Sequence, residues 1–485
     1  MPLELFLKTL NDPLGSRESR QVRLYRLLKE AILSGRLAPG TRLPGTRQLA
    51  SDYRMARNCV LFAYQQLAAE GFLQAGRGGT RVGALPLGAS TGGLSVERPG
   101  GPFLSLRARQ LPRSISGESY LPFAPGVPDL NAFPWHAWSR ALQRAWSEVS
   151  ARQVAYAEPG GEPELRRAVA AFLSARRGVA CTHEQVFIFP GGQAALDACA
   201  RLLADSGDTV WLEEPCYTAA RNAMLAAGLK TVAVPVDLDG MAPDEELWRS
   251  SPPRLVYVTP SHQYPLGSVL SLERRLDLLN RIGGGWLIED DYDSDFNHTR
   301  PGSPLQAIQG LRPDAPVIYV GTFSKLLYPG LRIAYMVVPR WAVKDIGEAI
   351  RNLYRGGQAV EQRALARFLD GGQLTRHIRR MAPIYRERQS VLRAELRARF
   401  GDGCEILGGQ AGLHLVLRLP DGSPDNMVVE AALLRGVVAR ALSGYYSDPR
   451  GGNGLVLGYG MAEAKQIPEL VARAFFRINA NGVGT

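Results

Sequence analysis

The sequence predicts an α/β body preceded by a small helical domain. Four short apolar runs between residues 209 and 320 alternate with helical patterns, which is typical of a central, largely parallel sheet covered by helices. Residues 20–70 carry apolar side chains at helical spacing instead. Residues 83–118 are rich in Gly, Pro and Ser and separate the two regions.

Length and composition agree with a protein of several domains. The chain has 485 residues, of which 45% are hydrophobic and 21% charged, which is ordinary for a core-forming protein but too long for one domain. No stretch approaches the roughly 18 uncharged apolar residues of a membrane helix, and the first five residues lack the basic-then-apolar order of a secretory signal. We therefore expect a soluble, cytoplasmic protein with no membrane partner.

The cysteines predict neither disulfides nor a metal site. Their number is odd, they are widely spaced, and they show neither Cys-x-x-Cys nor Cys/His metal spacing. We expect reduced thiols in or near the core and no bound metal. The five are Cys59, Cys181, Cys199, Cys216 and Cys404.

Positive charge is concentrated at the start of the chain. Residues 1–82 contain thirteen Lys or Arg and six Asp or Glu, so +7 of the formal +11 lies in about one-sixth of the sequence. Taken alone, this charge would indicate only a solvated basic surface. Because the same residues also predict a compact helical domain, it favours a partner with a phosphate backbone.

Three helices are predicted in that domain. Apolar residues at helical spacing predict a first helix over residues 20–34, ended by Gly35. Thr46 is then placed to cap a short helix over 47–53, and a third helix over 57–70 ends at Gly71. The last two are joined by only three residues, which indicates a helix-turn-helix.

Residues 72–75 and 80–82 predict the two strands of a wing around a glycine-rich turn. Residues 20–82 as a whole resemble the winged helix of GntR-type regulators, whose motifs Gly-x-Leu-x-Pro-Gly-x-x-Leu-Pro, Arg-x-Leu-Ala, Arg-x-x-Val and Glu-Gly-Phe-Leu all occur here. The resemblance implies binding to double-stranded DNA. Two departures, Gly45 and Ala56, replace serines that are common in the family and weaken helix caps without removing the fold.

The same resemblance implies a set of DNA-binding residues at the helix starts and the wing. Arg47 and Arg57 would reach phosphates and base edges, and Asn58 would contact bases in the major groove. The wing would follow the adjacent DNA backbone through Arg77, Gly79 and Thr80.

These patterns divide the chain into three parts. We expect a DNA-binding domain at residues 14–83, termed the head, and a larger domain at residues 119–480, termed the body. Residues 84–118 between them are expected to be a flexible linker. Whether motion of that linker matters is left open by the sequence.

In the body, candidate ligand-binding residues follow the predicted strands, where ligands bind in open α/β sheets. Gly191, Gly192 and Gln193 open a helix whose free amides can bind a phosphate. Tyr217 follows the run at residues 209–212, and its structural alternative is an ordinary core tyrosine. The first signal is weak when taken alone.

An acidic cluster and a lysine loop suggest that all of these residues bind one ligand. Asp290 and Tyr292 follow the apolar run at residues 286–288, in a pattern that more often marks a metal site or a solvated loop. Lys325 lies thirty-five residues beyond Asp290, and its amine can condense with an aldehyde to give a Schiff base. Hydroxyls and a guanidinium that can bind phosphate surround it, namely Thr322, Ser324 and Arg332.

Residues 121–478 resemble fold-type I aminotransferases, and the full chain resembles MocR-type regulators. The loop Thr-Phe-Ser-Lys-Leu at 322–326, the segment Thr-Pro-Ser-His-Gln-Tyr-Pro-Leu-Gly at 259–267 and Gly-Leu-His at 412–414 match that group. The resemblance implies pyridoxal 5'-phosphate (PLP) as cofactor, with Lys325 as the residue that binds it covalently. Tyr217 would stack on the pyridine, Asp290 would pair with its protonated nitrogen, and Tyr292 would contact the phenolic oxygen.

Two departures from the aminotransferases bear on activity. Tyr264 stands where they have an asparagine that contacts the phenolic oxygen. On the C-terminal strand Val456 stands where they carry an arginine for the substrate carboxylate. Transamination is therefore expected to be weak at most, although Arg221 or Arg440 could bind another anion.

Three hypotheses remain open. We favour a PLP-binding transcriptional regulator that would sense PLP, an amine or an amino acid through Lys325 and control genes of vitamin B6, amine or amino-acid metabolism. The missing arginine favours PLP as the effector. Alternatively the chain is an active aminotransferase with a DNA-binding domain, or its body is a vestigial dimerisation module. The resemblance implies a homodimer on repeated or paired half-sites, with each head crossing to the partner's body.

Overall fold

The computed structural model describes residues 18–76, 78–84, 104–111, 120–151, 155, 158–298, 305–401, 404–420, 424–448, 451–475, 478–479 and 482–483. The chain forms two compact units, Met1–Phe103 and Leu104–Thr485. The first contains the head and the second contains the body. Within the described ranges, no helix is long and apolar enough to cross a membrane.

The head has the predicted three helices and wing. Its helices are α1 (Arg20–Leu33), α2 (Thr46–Asp52) and α3 (Arg57–Ala69), and its wing pairs β1 (Leu73–Gly76) with β2 (Gly79–Val82) in antiparallel register. One apolar cluster joins all of them, because each helix has an apolar stripe at the spacing noted in the sequence. Its centre contains Leu24, Leu28, Leu49, Val60, Leu67 and Leu73.

The prediction that Thr46 caps α2 is wrong. The helix begins one residue earlier than expected, so Gly45 is the N-cap and no side chain accepts a hydrogen bond from the first-turn amides. The Thr46 hydroxyl instead lies 3.5 Å from Nε of Arg57. The α3 helix likewise begins after Ala56 with no side-chain cap. Both helix starts therefore present backbone amides without a side-chain partner.

The body contains the predicted central sheet. Its eight strands lie in the order β3-β10-β9-β8-β7-β4-β5-β6. Strands β9, β8, β7, β4 and β5 are parallel, while β10 and β6 pair antiparallel with their neighbours. The strands are β3 (Val186–Phe189), β4 (Thr209–Glu214), β5 (Lys230–Asp237), β6 (Gly240–Met241), β7 (Leu255–Val258), β8 (Trp286–Asp291), β9 (Val317–Thr322) and β10 (Ala334–Val337).

Helices cover both faces of this sheet. On β7, Leu255 and Tyr257 join one apolar cluster, whereas Val256 and Val258 join a different one. Alternate side chains are thus buried on opposite faces, which explains why the strand sequences are continuously apolar. The helices of the body are α4 (Leu106–Gln110), α5 (Trp135–Ser147), α6 (Pro163–Arg177), α7 (Gly192–Leu203), α8 (Thr218–Ala227), α9 (Glu245–Ser250), α10 (Leu272–Arg281), α11 (Ile308–Leu311), α12 (Val343–Leu353), α13 (Ala359–Asp370), α14 (Gln373–Phe400), α15 (Asp425–Leu433) and α16 (Ile467–Ala474).

A smaller antiparallel sheet follows in the C-terminal part, in the order β11-β12-β14-β13. Its strands are β11 (Ile406–Gly408), β12 (His414–Arg418), β13 (Arg440–Ala441) and β14 (Gly454–Gly458). A further short pair, β15 (Ile478–Asn479) and β16 (Gly482–Val483), lies near the end of the chain. The long helix α14 packs against α16 beside the four-stranded sheet.

The predicted flexible linker contains a helix that the sequence analysis did not anticipate. Helix α4 is capped by Ser105, whose hydroxyl accepts a hydrogen bond from the amide of Ala108 at 3.2 Å. It packs against α8, and the side chain of Arg107 lies against Gly228. With only five residues, α4 is too short for its apolar side chains to show a helical period in the sequence.

A buried ion pair anchors α6 to the end of β8. Nε of Arg177 lies 2.6 Å from Oδ2 of Asp291, and both side chains are almost fully buried. A second nitrogen of Arg177 donates to the hydroxyl of Ser261 at 2.6 Å, and the hydroxyl of Tyr319 donates to Asp291. Removing one partner from such a pair leaves an uncompensated buried charge.

Replacing that arginine should therefore destabilise the body strongly. We expect Arg177→Met to lower the free energy of unfolding by about 3–5 kcal/mol, measured by urea denaturation with tryptophan fluorescence. The matched control is Arg144→Met on α5, whose ion pair with Glu148 is exposed and should contribute less than about 1 kcal/mol. Equal losses in the two variants would contradict the structural role given to Arg177.

Candidate functional site

The parallel strands bring the predicted site residues to one edge of the central sheet. Strands β9, β8, β7 and β4 are consecutive neighbours, so their carboxyl ends lie side by side. Lys325 follows β9, Asp290 is near the end of β8, and Tyr217 follows β4. The turn at Gly191 follows β3, which runs in the same direction because β10 is antiparallel to both β3 and β9.

Lys325 is held in a confined position at this edge. A Cβ atom added to Gly126, whose φ is +68°, would lie 3.0 Å from the lysine Nζ. The glycine therefore provides space that any other residue would fill. Burial lowers the pKa of Lys325, and the negative charges of Asp293 and Asp290 oppose that effect. A lysine with a lowered pKa is a better nucleophile toward an aldehyde.

Three consecutive acids at the end of β8 are buried, and they have different partners. Glu289 accepts hydrogen bonds from the backbone amides of Ile308 and Gln309 at 2.9 and 3.0 Å. Asp291 is paired with Arg177, as described above. Because side chains alternate along a strand, these two carboxylates point away from the face that Asp290 occupies. The acids therefore do not converge on one metal position.

Asp290 is the acid that faces the site. Within the described part of the chain, its one hydrogen-bond donor is the Tyr257 hydroxyl, 2.8 Å from Oδ2. Burial raises the pKa of Asp290 to about 7, against the lowering effects of Tyr257 and of the Lys325 charge. A cation placed beside this carboxylate would stabilise its ionised form.

The guanidinium of Arg332 and the turn at Gly191 lie together at the start of α7, where they could bind an anion, and we call this place the anion pocket. Arg332 lies against Gly191, where an added Cβ would be 2.6 Å from the guanidinium carbon. Gly191 is the N-cap of α7 at φ +97° and has no side chain to bind the helix amides. No carboxylate in the described ranges lies within ion-pair distance of Arg332. The helix start and the guanidinium thus offer uncompensated positive charge.

The remaining phosphate-binding candidates are Thr322, Ser324 and Gln193. Thr322 ends β9, and its hydroxyl accepts a hydrogen bond from the amide of Ser324 at 3.2 Å. Ser324 itself is buried. Nothing lies within 4 Å of a Cβ built on Gly192, so the pocket is open there. Gln193 points elsewhere, since its amide nitrogen donates to the carbonyl of Ala219 at 2.9 Å.

Four tyrosines cluster near the end of β4 and β8. The ring of Tyr264 lies 5.5 Å from that of Tyr217, 5.7 Å from that of Tyr292 and 5.4 Å from that of Tyr445. The hydroxyls of Tyr264 and Tyr445 are 3.1 Å apart. Burial raises the pKa of Tyr217 to about 12, so its phenol is neutral and its ring can stack on an aromatic ligand.

Tyr292 has a partner that the sequence did not suggest. Its hydroxyl donates to the backbone carbonyl of His262 at 2.9 Å and lies 3.0 Å from Nδ1 of that histidine. His262 in turn contacts Asp293 at 3.1 Å, and the ring of His414 is 4.8 Å away. The candidate ligand atoms of these two histidines and Asp293 lie within 4.8 Å of one another.

The motifs at residues 259–267 and 412–414 contain His262 and His414 but predict no role for either, and Tyr257 lies in an apolar run that predicts only a strand. Their positions depend on which strands are neighbours, and one sequence does not show that. Gly126 gave no signal beyond its place in a Pro-Gly-Val-Pro turn. Tyr445 was not noted, because it reaches the site from a short helical turn after β13.

The C-terminal strand places Val456 at the site. Val456 is fully buried and belongs to the same apolar cluster as Tyr264 and Tyr445. Arg440 is its Cα partner on β13 and is half-buried. Arg221, by contrast, is occupied, because its guanidinium donates to the carbonyl of Tyr445 at 2.6 Å and pairs with Glu214 at 3.3 Å.

The head exposes most of the predicted DNA-binding residues. Arg47 is in the first turn of α2, and Arg57 and Asn58 are in the first turn of α3, all three exposed to solvent. Gly79 and Thr80 begin β2 in the wing. An added Cβ on Gly79, at φ +102°, would lie 3.1 Å from Nε of Arg42. Arg77 lies outside the described residues.

The residues of the body fit PLP. The lysine in its glycine-lined space complements the aldehyde of PLP. The buried carboxylate of Asp290 complements the pyridinium nitrogen, and the anion pocket complements the phosphate dianion. The fit rests on Gly126 and Gly191 in particular, because any larger residue would displace Lys325 or Arg332.

Comparison with known proteins agrees with both parts of the chain. Residues 20–82 match the family of bacterial regulatory proteins of the gntR type, and residues 121–450 match aminotransferase class I and II. The chain is 40% identical over 471 residues to the probable rhizopine catabolism regulatory protein MocR of Rhizobium meliloti, covering 95% of this chain and 94% of the relative. It is 31% identical to the pyridoxine biosynthesis transcriptional regulator PdxR of Corynebacterium glutamicum, covering 90% and 91%.

A solved structure extends the comparison to the fold of the body. The α-aminoadipate aminotransferase LysN of Thermus thermophilus, complexed with N-(5'-phosphopyridoxyl)-L-leucine, is similar with a TM-score of 0.70 and 26% identity. The match covers 76% of this chain and 96% of LysN. With a gntR-type domain before an aminotransferase domain, and near full-length similarity to regulators of that arrangement, this chain belongs to the MocR-type family of transcriptional regulators.

Proposed function

We propose that this protein is a PLP-binding transcriptional regulator in which Lys325 binds the cofactor and the body senses PLP or an amine or amino acid. The observation that carries the proposal is the unbalanced charge at the end of β8. Asp290 is a buried carboxylate with a raised pKa and a single hydroxyl donor, and Lys325 lies within its electrostatic reach. That arrangement suits a ligand that brings a cationic ring nitrogen.

Each group has a distinct task in holding the cofactor. When bound, PLP supplies an aldehyde for the lysine and a ring that withdraws electrons from the attached amine. Lys325 would provide the amine, and Asp290 would hold the proton on the ring nitrogen. The start of α7, Arg332 and the hydroxyls of Thr322 and Ser324 would bind the phosphate. Tyr217 would cover one face of the ring.

The effector is less tightly specified. Val456 occupies the position where the resemblance to aminotransferases leads us to expect an arginine for the substrate carboxylate. This favours PLP itself as the effector over an ordinary amino acid. Arg440 lies on the adjacent strand, and within the described part of the chain it has no ion-pair partner. It could therefore receive an anionic effector instead. The names of the relatives point in two directions, toward rhizopine catabolism and toward pyridoxine biosynthesis.

An active aminotransferase with a DNA-binding domain is the second candidate. The completeness of the cofactor site favours it, since lysine, carboxylate and arginine are all present. The loss of a carboxylate-binding arginine at Val456 argues against it, because substrate and transition state would then be poorly held.

At the DNA, we infer that a homodimer places two heads on repeated or paired half-sites, with each head crossing to the partner's body. Arg47 and Arg57 would supply phosphate and base contacts, and the uncapped start of α3 would add backbone amides that can bind a phosphate. Effector binding would change DNA affinity only if it favours one arrangement of the body over another.

Removing the lysine tests the cofactor site. We expect Lys325→Ala to abolish the visible absorbance band that PLP gives with the wild-type protein, and to abolish any effect of PLP on DNA binding. Lys344→Ala, on the surface of α12, is the matched control and should keep both. A panel of amines and amino acids, with a keto acid as acceptor, distinguishes the two candidates. Rapid multiple turnover with DNA binding indifferent to every ligand would support the enzyme instead.

Removing one arginine tests the head. We expect Arg57→Ala to weaken binding to the operator by about 1–3 kcal/mol, and to leave the PLP absorbance unchanged, as measured by fluorescence anisotropy at fixed salt. Arg26→Ala on α1, where the arginine pairs with Glu18 at 3.4 Å, is the control. Undiminished binding by both Arg57→Ala and Arg47→Ala would show that the groove assignment is wrong.

The raised pKa of Asp290 predicts how stability depends on pH in the cofactor-free protein. Folding favours the protonated acid, so its contribution is full below the unfolded pKa near 4 and is lost as the pH rises through about 7. Asp290→Asn cannot ionise. We therefore expect it to gain stability relative to wild type between pH 5 and pH 8, by up to about 3 kcal/mol.

Urea denaturation at several pH values measures that difference. Glu246→Gln, which alters a carboxylate with 69% of its side chain exposed, should leave the pH dependence unaltered. Asp290→Asn should also bind PLP more weakly, because its amide cannot stabilise a pyridinium. A constant difference between Asp290→Asn and wild type across this pH range would mean that Asp290 is not the titrating group.

A further inference from the structure

Helix α3, the second helix of the helix-turn-helix, carries two adjacent apolar side chains that do not belong to the core of the head. Leu61 and Phe62 in α3 are 37% and 38% exposed. The buried face of the same helix is formed by other residues, which are Val60, Ala63, Tyr64 and Leu67. Exposing two large apolar side chains in succession is unfavourable in water, so this surface suits a partner that covers them.

Their position follows from helix geometry. Leu61 is four residues after Arg57, and Phe62 is four residues after Asn58, so each lies one turn further along the same side of the helix. Four residues advance about 6 Å along the axis, which corresponds to about two base pairs of DNA. A helix that places its first turn on base edges therefore brings these two side chains to the bases about two steps away.

The charges around them favour DNA over a protein partner. Arg47 and Arg57 flank the start of α3, and within the described ranges no carboxylate lies within ion-pair distance of either. The described ion pairs of the head lie elsewhere. They join Arg26 to Glu18 and Lys29 to Glu70, the latter at the opposite end of α3. An apolar surface bordered by unpaired arginines complements a groove with anionic walls and an apolar group on its floor.

We propose that Leu61 and Phe62 recognise thymine by contact with its C5-methyl group in the major groove. That methyl is the apolar feature by which thymine differs from the other bases there. The recognised thymine lies about two base pairs from the base contacted by Arg57 or Asn58. This inference rests on the proposed DNA-binding function and adds the base that the apolar part of α3 selects.

Removing single methyl groups from the DNA tests the inference directly. The full-length protein, saturated with PLP, first selects its preferred duplexes from a random pool. The selected duplex is then resynthesised with deoxyuridine in place of each thymine in turn. For wild type, we expect one substitution per half-site to weaken binding by about three- to tenfold. We then measure the same loss of affinity with Leu61→Ala and with Phe62→Ala. In at least one of these variants, replacing the thymine by deoxyuridine should weaken binding by about twofold or less.

Leu33→Ala is the matched control. Leu33 is 49% exposed but lies on α1, so this variant should retain the wild-type penalty for deoxyuridine. Wild-type binding that tolerates deoxyuridine at every thymine would overturn the inference while leaving DNA binding intact. So would variants that lose affinity equally for both DNAs. If the pool yields no preferred sequence either with PLP or without it, the proposed sequence-specific DNA binding is itself wrong.

Discussion

The buried acids at the end of β8 are the constraint on which the rest of the body depends. Three consecutive carboxylates inside a protein must each find a compensating group, or they will not ionise. Two backbone amides satisfy Glu289, and Arg177 satisfies Asp291. Asp290 receives one hydroxyl, from Tyr257, and has a raised pKa. Burial raises the pKa of Glu289 to about 7 as well, despite its two amide donors. Asp290 differs from Glu289 in facing the side of the sheet where Lys325 lies, so we propose that a ligand compensates its charge.

Positive charge without a compensating group lies at the start of α7. Arg332 and the first turn of α7 present positive charge without a described carboxylate. A ligand with a cationic ring and an anionic phosphate would compensate both charges, and PLP has these two groups. The glycines make this possible by their size, because Gly126 and Gly191 let the lysine and the arginine approach the backbone closely. In the head, Arg47 and Arg57 are exposed, and we propose that they bind the phosphates of DNA.

The proposal of a sensor over an enzyme rests on one position of β14. The buried Val456 adds to an apolar and aromatic cluster at the position where an arginine was expected. The nearest cation on that sheet is Arg440, one strand away, and Arg221 is engaged by Glu214 and a backbone carbonyl. We propose that the lysine, the carboxylate and the arginine of the site bind the cofactor, whereas Val456 offers no charge to an α-carboxylate. That combination favours a protein in which occupancy, rather than turnover, carries the signal.

The sequence by itself determined the fold class, with a winged helix-turn-helix before an α/β body, because periodicity and short motifs are local properties. It also predicts the lysine loop as the cofactor site. It misplaced the cap of α2 at Thr46 and missed helix α4, because helix ends depend on one residue and short helices on their packing. Only the tertiary structure decided which acid faces the site, since the alternation of β8 and the partners of each carboxylate come from neighbouring elements. It also brought in Tyr257, His262 and Gly126, whose roles arise from contacts between segments distant in the chain.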